Sequence, residues 1–319
     1  MPALDCSIVV RAYNEEKHLE RLLTGIERQV EVRAETILVD SGSTDQTVAV
    51  ASRFPVTILS ISPTDFTFGR SLNLGCSKAR GEIIVLASAH VYPVYPDWLH
   101  RLIEPFQDSR VALTYGKQRG NSSTRFSEQQ VFAKLYPDQP PSRPEHPFCN
   151  NANAALRREL WMRRPYDEEL SGLEDLEWAM WAHGQGHQVT YVAEAEVVHV
   201  HDETPRQVYN RYRREAIALK RLRPNEHFGL TDLLWLFASN VLSDGWHGLR
   251  QGRGPRSWAE IGWYRLMQFW GTYRGFSHLG PLTPELRRTF YYPRGLAERS
   301  VEPARAIEPI DYGMTASKG

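Results

Sequence analysis

Ser7-Ile8-Val9-Val10-Arg11-Ala12, Thr36-Ile37-Leu38-Val39-Asp40, Val56-Thr57-Ile58-Leu59-Ser60-Ile61, Glu82-Ile83-Ile84-Val85-Leu86-Ala87-Ser88 and Val111-Ala112-Leu113-Thr114-Tyr115 are short runs rich in β-branched residues. Their apolar residues are continuous rather than alternating, as in strands buried on both faces. Between them, residues 14–29, 44–54 and 70–80 carry helical spacing behind polar starts. This alternation predicts βαβ units, and so an α/β fold with a doubly wound, mainly parallel sheet. In such sheets the ligand lies against the loops leaving the carboxyl ends of the strands. Here those loops are Ala12-Tyr13-Asn14-Glu15, Asp40-Ser41-Gly42-Ser43-Thr44-Asp45 and Ser88-Ala89-His90-Val91-Tyr92-Pro93.

Beyond residue 116 the pattern is less regular. Pro137 to Pro147 holds five prolines in eleven residues and reads as an exposed loop. A helix is expected from Ser171 or Gly172 to Gln185, then two short strands, QVTYV and AEVVHVH, then a basic helix from Pro205 to Arg223. Five of the nine tryptophans fall between Phe228 and Phe276, where Ser257 with Glu260 suggests a capping box and Trp263, Leu266, Met267 and Trp270 repeat with helical spacing. The expected division is an α/β domain over 1–223, a Trp-rich helical appendage over 224–295 and a loose tail over 296–319.

The 319 residues carry 38 basic and 38 acidic side chains, a balance that argues against a nucleic-acid binder working through a broad basic surface. Cys6, Cys76 and Cys149 are odd in number and lack CxxC spacing, which fits a reducing, cytoplasmic setting. The start lacks the marks of a secretion signal, and the densest apolar stretch, Leu234 to Leu242, falls short of the roughly 20 residues that span a bilayer. Contact with the inner face of the plasma membrane remains open.

Three segments can carry chemistry. Asp40 ends a buried strand before a Ser-Gly-Ser turn, where it can meet a ligand or cap the next helix. Glu174 and Asp175 open a helix, whose positive end is expected to hold Asp175 ionised and ready to accept a proton; plain dipole compensation gives the same pattern. His199 and His201 share a strand face and can bind a divalent metal or serve as structural imidazoles. Arg206 to Arg223 adds seven basic residues against one acid, suited to a diphosphate, to anionic lipid or to solvent.

In order and spacing, these segments resemble the family 2 glycosyltransferases of the GT-A fold, in particular a rhamnosyltransferase-like bacterial branch. The resemblance rests on Ser7-Ile8-Val9-Val10-Arg11-Ala12-Tyr13-Asn14-Glu15-Glu16 and Val39-Asp40-Ser41-Gly42-Ser43-Thr44-Asp45. It continues through Phe68-Gly69-Arg70-Ser71-Leu72-Asn73-Leu74-Gly75, Ala79-Arg80-Gly81-Glu82, Asn151-Ala152-Asn153-Ala154-Ala155-Leu156-Arg157-Arg158 and Glu174-Asp175-Leu176-Glu177-Trp178, covering about residues 6 to 220.

The resemblance implies a nucleotide-sugar donor and an inverting displacement onto a hydroxyl of a glycan or lipid-linked acceptor. It places Ala12, Tyr13 and Glu15 around the nucleotide, Asp40 on the base, and Ser88 with Asn73 in the donor site. Asn153 falls between donor and acceptor, and Asp175 is the general base, with Glu174 beside it. Related sequences often carry Arg-Asn where this chain has Leu72-Asn73, which shifts a basic contact to Arg70 and leaves UDP as the default with dTDP and GDP open. Where the family has its Asp-x-Asp metal motif, this chain has Ser88-Ala89-His90.

Two ways of meeting the leaving diphosphate follow. His90 can bind a metal with His199 or His201, favouring Mn²⁺ over Mg²⁺, or Arg70, Arg211, Arg213 and Arg214 can act as fixed charges without one. A noncatalytic sugar-nucleotide or glycan-binding protein is the alternative from another class. A nucleotidyltransferase is disfavoured because no Gly-rich, lysine-bearing loop follows the first strand. The tryptophans suit core packing, a homodimer interface or a membrane surface.

Overall fold

Side chains of successive residues in β1 (Cys6–Ala12) point into two different cores, Ile8 and Val10 on one side and Val9 on the other, and all are buried. This explains the continuous apolar run, because a strand covered on both faces has no side for water. The same holds for β2 (Ala34–Asp40) and β4 (Ile83–Ser88), and β3 (Val56–Ser60) closes that edge. All four are parallel. The remaining strands are β5 (Val91–Pro93), β6 (Val111–Arg119), β7 (Asn153–Arg157) and β8 (Gln188–His199), giving the order β3-β2-β1-β4-β7-β6-β8-β5. β7 runs antiparallel to both neighbours and β5 antiparallel to β8. The computed structural model describes residues 5–139, 147–254, 256–278, 310 and 311.

Helices α1 (Leu19–Glu27), α2 (Thr47–Ala51) and α4 (Trp98–Ile103) cover one face, and α3 (Phe68–Cys76) with α7 (Glu174–Gly184) covers the other. α1 and α2 are shorter than their sequence windows because the polar residues at each start belong to the strand-end loops, whereas α3 begins two residues before its window, behind the Thr67 cap, and ends at Cys76. QVTYV and AEVVHVH form one strand rather than two. The break between them is a bulge: Gly116 of β6 pairs with Val192 and Gln118 with Val197, leaving an exposed Glu194 in the extra loop of β8. Most of the proline-rich segment and nearly all of 279–319 lie outside the described residues.

α5 (Phe126–Leu135) and α6 (Arg158–Arg163) flank the sheet, and α8 (Pro205–Leu222) follows it behind a Thr204–Gln207 capping box. The chain then makes two 21-residue helices, α9 (Leu230–Arg250) and α10 (Arg256–Phe276). α10 crosses α8 almost backbone to backbone. A methyl group at Gly271 would come within 2.5 Å of the Tyr209 carbonyl oxygen, and one at Gly275 within 2.4 Å of the Arg213 carbonyl oxygen. Only glycine permits that approach.

The capping box expected at Ser257 is absent. Ser257 donates to the Gly254 carbonyl (2.7 Å), while the Glu260 carboxylate reaches α5 and accepts from the Phe126 amide (3.1 Å). The expected apolar stripe of α10 divides: Trp263 and Met267 pack partly on Tyr212 and Val208, whereas Leu266 and Trp270 face outward.

What the helical pair buries is partly ionic. Arg265 of α10 donates from Nε to Asp244 Oδ2 (2.8 Å) and from Nη2 to Asp244 Oδ1 (3.0 Å) on α9, and Ser127 of α5 donates to the same carboxylate. Both charged groups are almost fully buried. Removing one partner leaves the other charged and dry, so Asp244→Ala is expected to cost about 3–5 kcal/mol in urea unfolding. Asp244→Leu with Arg265→Met is expected to recover most of it. A loss below about 1 kcal/mol would refute this account of the pair.

Candidate functional site

The loops at the carboxyl ends of β1 and β2 are laced together. The Asn14 amide donates to Ser43 Oγ (2.9 Å), Asn14 Oδ1 accepts from the Thr44 amide (2.8 Å), and the Glu15 amide donates to Thr47 Oγ1 (2.7 Å). Asn14 holds a left-handed backbone (φ 55°), which asparagine tolerates better than most residues. The turn carries Tyr13 and Glu15 to the wall of a cavity of about 740 Å³.

His90 reaches the same cavity through strand pairing. β5 begins at Val91 and pairs with β8 so that Val91 sits opposite His199, and the Val200 amide donates to the His90 carbonyl (3.1 Å). The three imidazoles gather there, with ring centres 5.0 Å apart for His90 and His199, 4.1 Å for His199 and His201, and 5.6 Å for His90 and His201. One ligand nitrogen from each lies within 4.8 Å of the other two.

Each ring is held from behind. Nδ1 of His90 donates to Glu15, Nδ1 of His199 to the Gln118 side-chain carbonyl, and Nδ1 of His201 to Glu128, all at 2.7 Å. That leaves Nε2 as the open nitrogen of each ring, and the buried Nε2 of His199 has no partner among the described residues. An oxygen acceptor on one nitrogen with the other turned to a common point is how ligating histidines are oriented. The residues therefore fit a divalent ion, once the rings draw in to the spacing of about 3.4 Å that metal–nitrogen bonds of about 2.1 Å require.

Burial opposes charge on His90, but the adjacent Glu15 carboxylate outweighs it and raises the pKa above the usual histidine value. His199 goes the other way: burial, with His201 and His90 beside it, pushes its pKa well below the usual value. Glu128 is pulled down to about 2, its burial overcome by His201 and Arg211.

The cavity also holds an acid pair. Leu173 takes a left-handed conformation (φ 59°), strained for a branched L-residue by about 1–2 kcal/mol, and turns the chain into α7 so that Glu174 and Asp175 line the cavity. The Asp175 carboxylate accepts from the Asn151 amide (3.1 Å) and the Leu176 amide (2.8 Å). Its pKa is nonetheless raised to about 7 by burial and by the Glu174 charge. The helix end therefore does not hold it firmly ionised as the sequence suggested, because desolvation outweighs the two amide bonds.

Ser88 and Arg211 line the cavity as well, but Arg211 is already engaged by Glu128 and Glu203, each at 2.7 Å. Arg11 was missed from the sequence. Its guanidinium lies 3.5 Å from Glu174 and 4.8 Å over the Phe68 ring, whose centroid is 4.3 Å from the Arg214 guanidinium. An arginine ending an otherwise apolar strand was the signal available.

Five expected residues are placed outside the cavity lining. Ala12 is buried in the core beneath the loop. Asp40 accepts from the Gly42 and Ser43 amides (both 3.1 Å) and caps its own turn. Arg70 pairs with Glu168 (2.9 Å), and Asn73 bonds Glu168 and the Tyr166 carbonyl. Asn153 is fully buried, accepting from the Trp98 ring N–H (2.9 Å) and donating to the carbonyls of Lys117 and Ala195, so it stitches β6, β7 and β8 together. Arg213 also lies off the cavity, against α10.

Residues 7–163 match the model of the family described as Glycosyl transferase family 2. The O-antigen chain rhamnosyltransferase RfbN of Salmonella typhimurium is 28% identical over 225 residues, spanning 65% of this chain and 69% of that protein. The O-antigen chain rhamnosyltransferase WbaN of Salmonella anatum is 27% identical over 197 residues, 58% of this chain and 62% of that one. In three dimensions, the mannosyltransferase PcManGT from Pyrobaculum calidifontis, solved with GDP-Man and Mn²⁺, superposes with a TM-score of 0.57 at 16% identity, covering 84% of this chain and 85% of that one. The α/β architecture is thus that of the GT-A enzymes, and residues 7–163, just under half of the chain, belong to glycosyltransferase family 2.

Proposed function

We propose that this glycosyltransferase moves a rhamnosyl group from a nucleoside diphosphate donor to a hydroxyl of a glycan or lipid-linked acceptor, with inversion at the anomeric carbon. The sugar is supported by the two O-antigen chain rhamnosyltransferases among its relatives. The mechanism is carried by one observation: a single cavity holds a carboxyl group with a pKa of about 7 together with three inward-turned histidines and several guanidinium groups.

Asp175 accepts the acceptor's hydroxyl proton as that oxygen attacks the anomeric carbon. The bond from that carbon to the diphosphate oxygen breaks on the opposite face, and the nucleoside diphosphate leaves with the electron pair. A base whose pKa lies near the working pH suits this task, being free to accept a proton yet still basic. Glu174 keeps that pKa high, and Arg11, paired with Glu174, limits the rise. Arg11 and Arg214, stacked about Phe68, bring two guanidinium groups to the cavity without reorganisation, Arg214 with its pKa pulled well below the usual arginine value by burial. His90, His199 and His201 are the residues that would hold a divalent metal, and three imidazoles favour a transition ion over Mg²⁺. Such an ion would supply positive charge to the departing diphosphate.

The test is turnover on UDP-, dTDP- and GDP-linked sugars with a glycan acceptor, read as released nucleoside diphosphate across pH. The deprotonated form of Asp175 is the active one, so kcat/KM is expected to rise about tenfold per pH unit below about pH 7 and to flatten above it. A profile without that limb would remove Asp175 as the base. No turnover with any donor would overturn the proposal.

A further inference from the structure

α9 is apolar on two sides: Leu233 and Leu236 pack inward with Phe269, and a second apolar set faces out. Its inward side carries the buried Asn240 and Asp244, while Leu234, Trp235, Leu242, Trp246 and Leu249 face out, each more than half exposed. At 100° per residue these five fall within an arc of roughly 120°, so they form one stripe rather than scattered apolar residues. Leu266 (41% exposed) and Trp270 (38%) add to the outer surface of the pair from α10.

The charges on these helices have one sign at the surface. Arg250, Arg256 and Arg274 are exposed, whereas Asp244 is buried and Asp232 and Glu260 are partly buried and occupied by the Gly229 and Phe126 amides. Two of the arginines lie over exposed indoles, Arg250 over Trp246 (5.0 Å) and Arg274 over Trp270 (5.9 Å).

We propose that the outer face of α9 and α10 lies on an anionic phospholipid surface. Leucines and tryptophans bordered by arginines are the composition of helices that lie in the plane of the interface, with indoles at headgroup depth and cations against lipid phosphate. A second copy of this chain is the poorer occupant, because a two-fold contact through this face would bring like-charged arginines together with no exposed acid on either helix to answer them. Neither helix is long and apolar enough to cross a membrane, so contact is along the surface.

The full chain is to be sedimented with vesicles of phosphatidylcholine alone and of phosphatidylcholine with phosphatidylglycerol, alongside the triple variant Trp235→Ser, Leu242→Ser and Trp246→Ser. These side chains are exposed, so the variant should keep the wild-type Tm. Binding is expected to be stronger to the anionic vesicles, to weaken with salt, and to fall about tenfold or more in the variant. Tryptophan fluorescence is expected to shift to the blue on binding in the wild type alone. Equal sedimentation of wild type and variant would overturn the proposal, as would no binding to either vesicle. A dimer in solution that the triple variant abolishes would assign the face to self-association and overturn it as well.

Discussion

Asp175→Asn is expected to lower kcat for sugar transfer by about 10²–10⁴-fold while leaving the affinity for the nucleotide within about twofold. Asparagine keeps the size of the side chain but only one oxygen, so it holds one of the two amides, that of Asn151 at Oδ2 or that of Leu176 at Oδ1, and the other loses its acceptor. It cannot accept the proton of an attacking hydroxyl. The loss should therefore appear in kcat, and the pH limb near 7 should vanish with it.

The same variant makes a second, independent prediction. The folded pKa of Asp175 is raised above its unfolded value of 3.8, so ionising it disfavours the folded state. That cost is absent below the unfolded pKa and fully present above about pH 7. The Tm of Asp175→Asn relative to the wild type should then rise between pH 4 and pH 8, on top of a pH-independent cost for the amide that loses its acceptor. Catalytic groups held against their preferred ionisation commonly trade stability for activity in this way. A Tm difference that does not change between pH 4 and pH 8 would contradict the origin of the shift in burial and the Glu174 charge.

His199→Ala is expected to weaken Mn²⁺ or Zn²⁺ binding by at least about 100-fold in equilibrium dialysis of the chain alone, with no nucleotide present. The effect is large because His199 is the central ring, 4.1 Å from His201 and 5.0 Å from His90. Glu128→Gln is the control for the support of the rings. It keeps an oxygen for Nδ1 of His201 but removes the charge, and it should cost about 10–100-fold. Loss of the His199 ring also opens space beside Phe132, so His90→Ala, at a partly exposed position, is the companion variant. Wild-type metal affinity in both alanine variants would exclude the three histidines as ligands.

Much of the fold was legible because a strand buried on both faces needs a continuous apolar run, and β1, β2 and β4 carry one in residues 8–10, 37–39 and 83–87. The parallel order followed from the helices between them. Segments whose roles depend on distant partners were harder to read. QVTYV and AEVVHVH read as two strands, yet pairing with β6 joins them into β8, with the residues between Val192 and Val197 taken up as a bulge. The outward set of Leu266 and Trp270 has the spacing of a packed stripe, and only the neighbours of α10 decide which side meets the core.

The site was legible to the same degree. His90, His199, His201, Glu174 and Asp175 share one cavity, though they come from segments as much as 111 residues apart in the numbering of the chain. The oxygen groups behind the rings, Gln118 and Glu128, were not legible, because nothing local to them signals an imidazole neighbour. Nor was the raised pKa of Asp175, since burial is a property of the folded chain. Asn153 shows the reverse error: a polar residue inside a motif looked like a ligand contact, but its amide is consumed by three bonds within the sheet.

The glycine contacts between α10 and α8 have a mechanical result. Main chain is seated on main chain at Gly271 and Gly275, and along the rest of the contact Trp263, Tyr264 and Met267 interlock with Val208 and Tyr212, so a slide of one helix along the other would break both kinds of contact. α8 also carries Arg211 and Arg214 to the cavity. A displacement of α10 is thus expected to move the guanidinium groups that line the cavity.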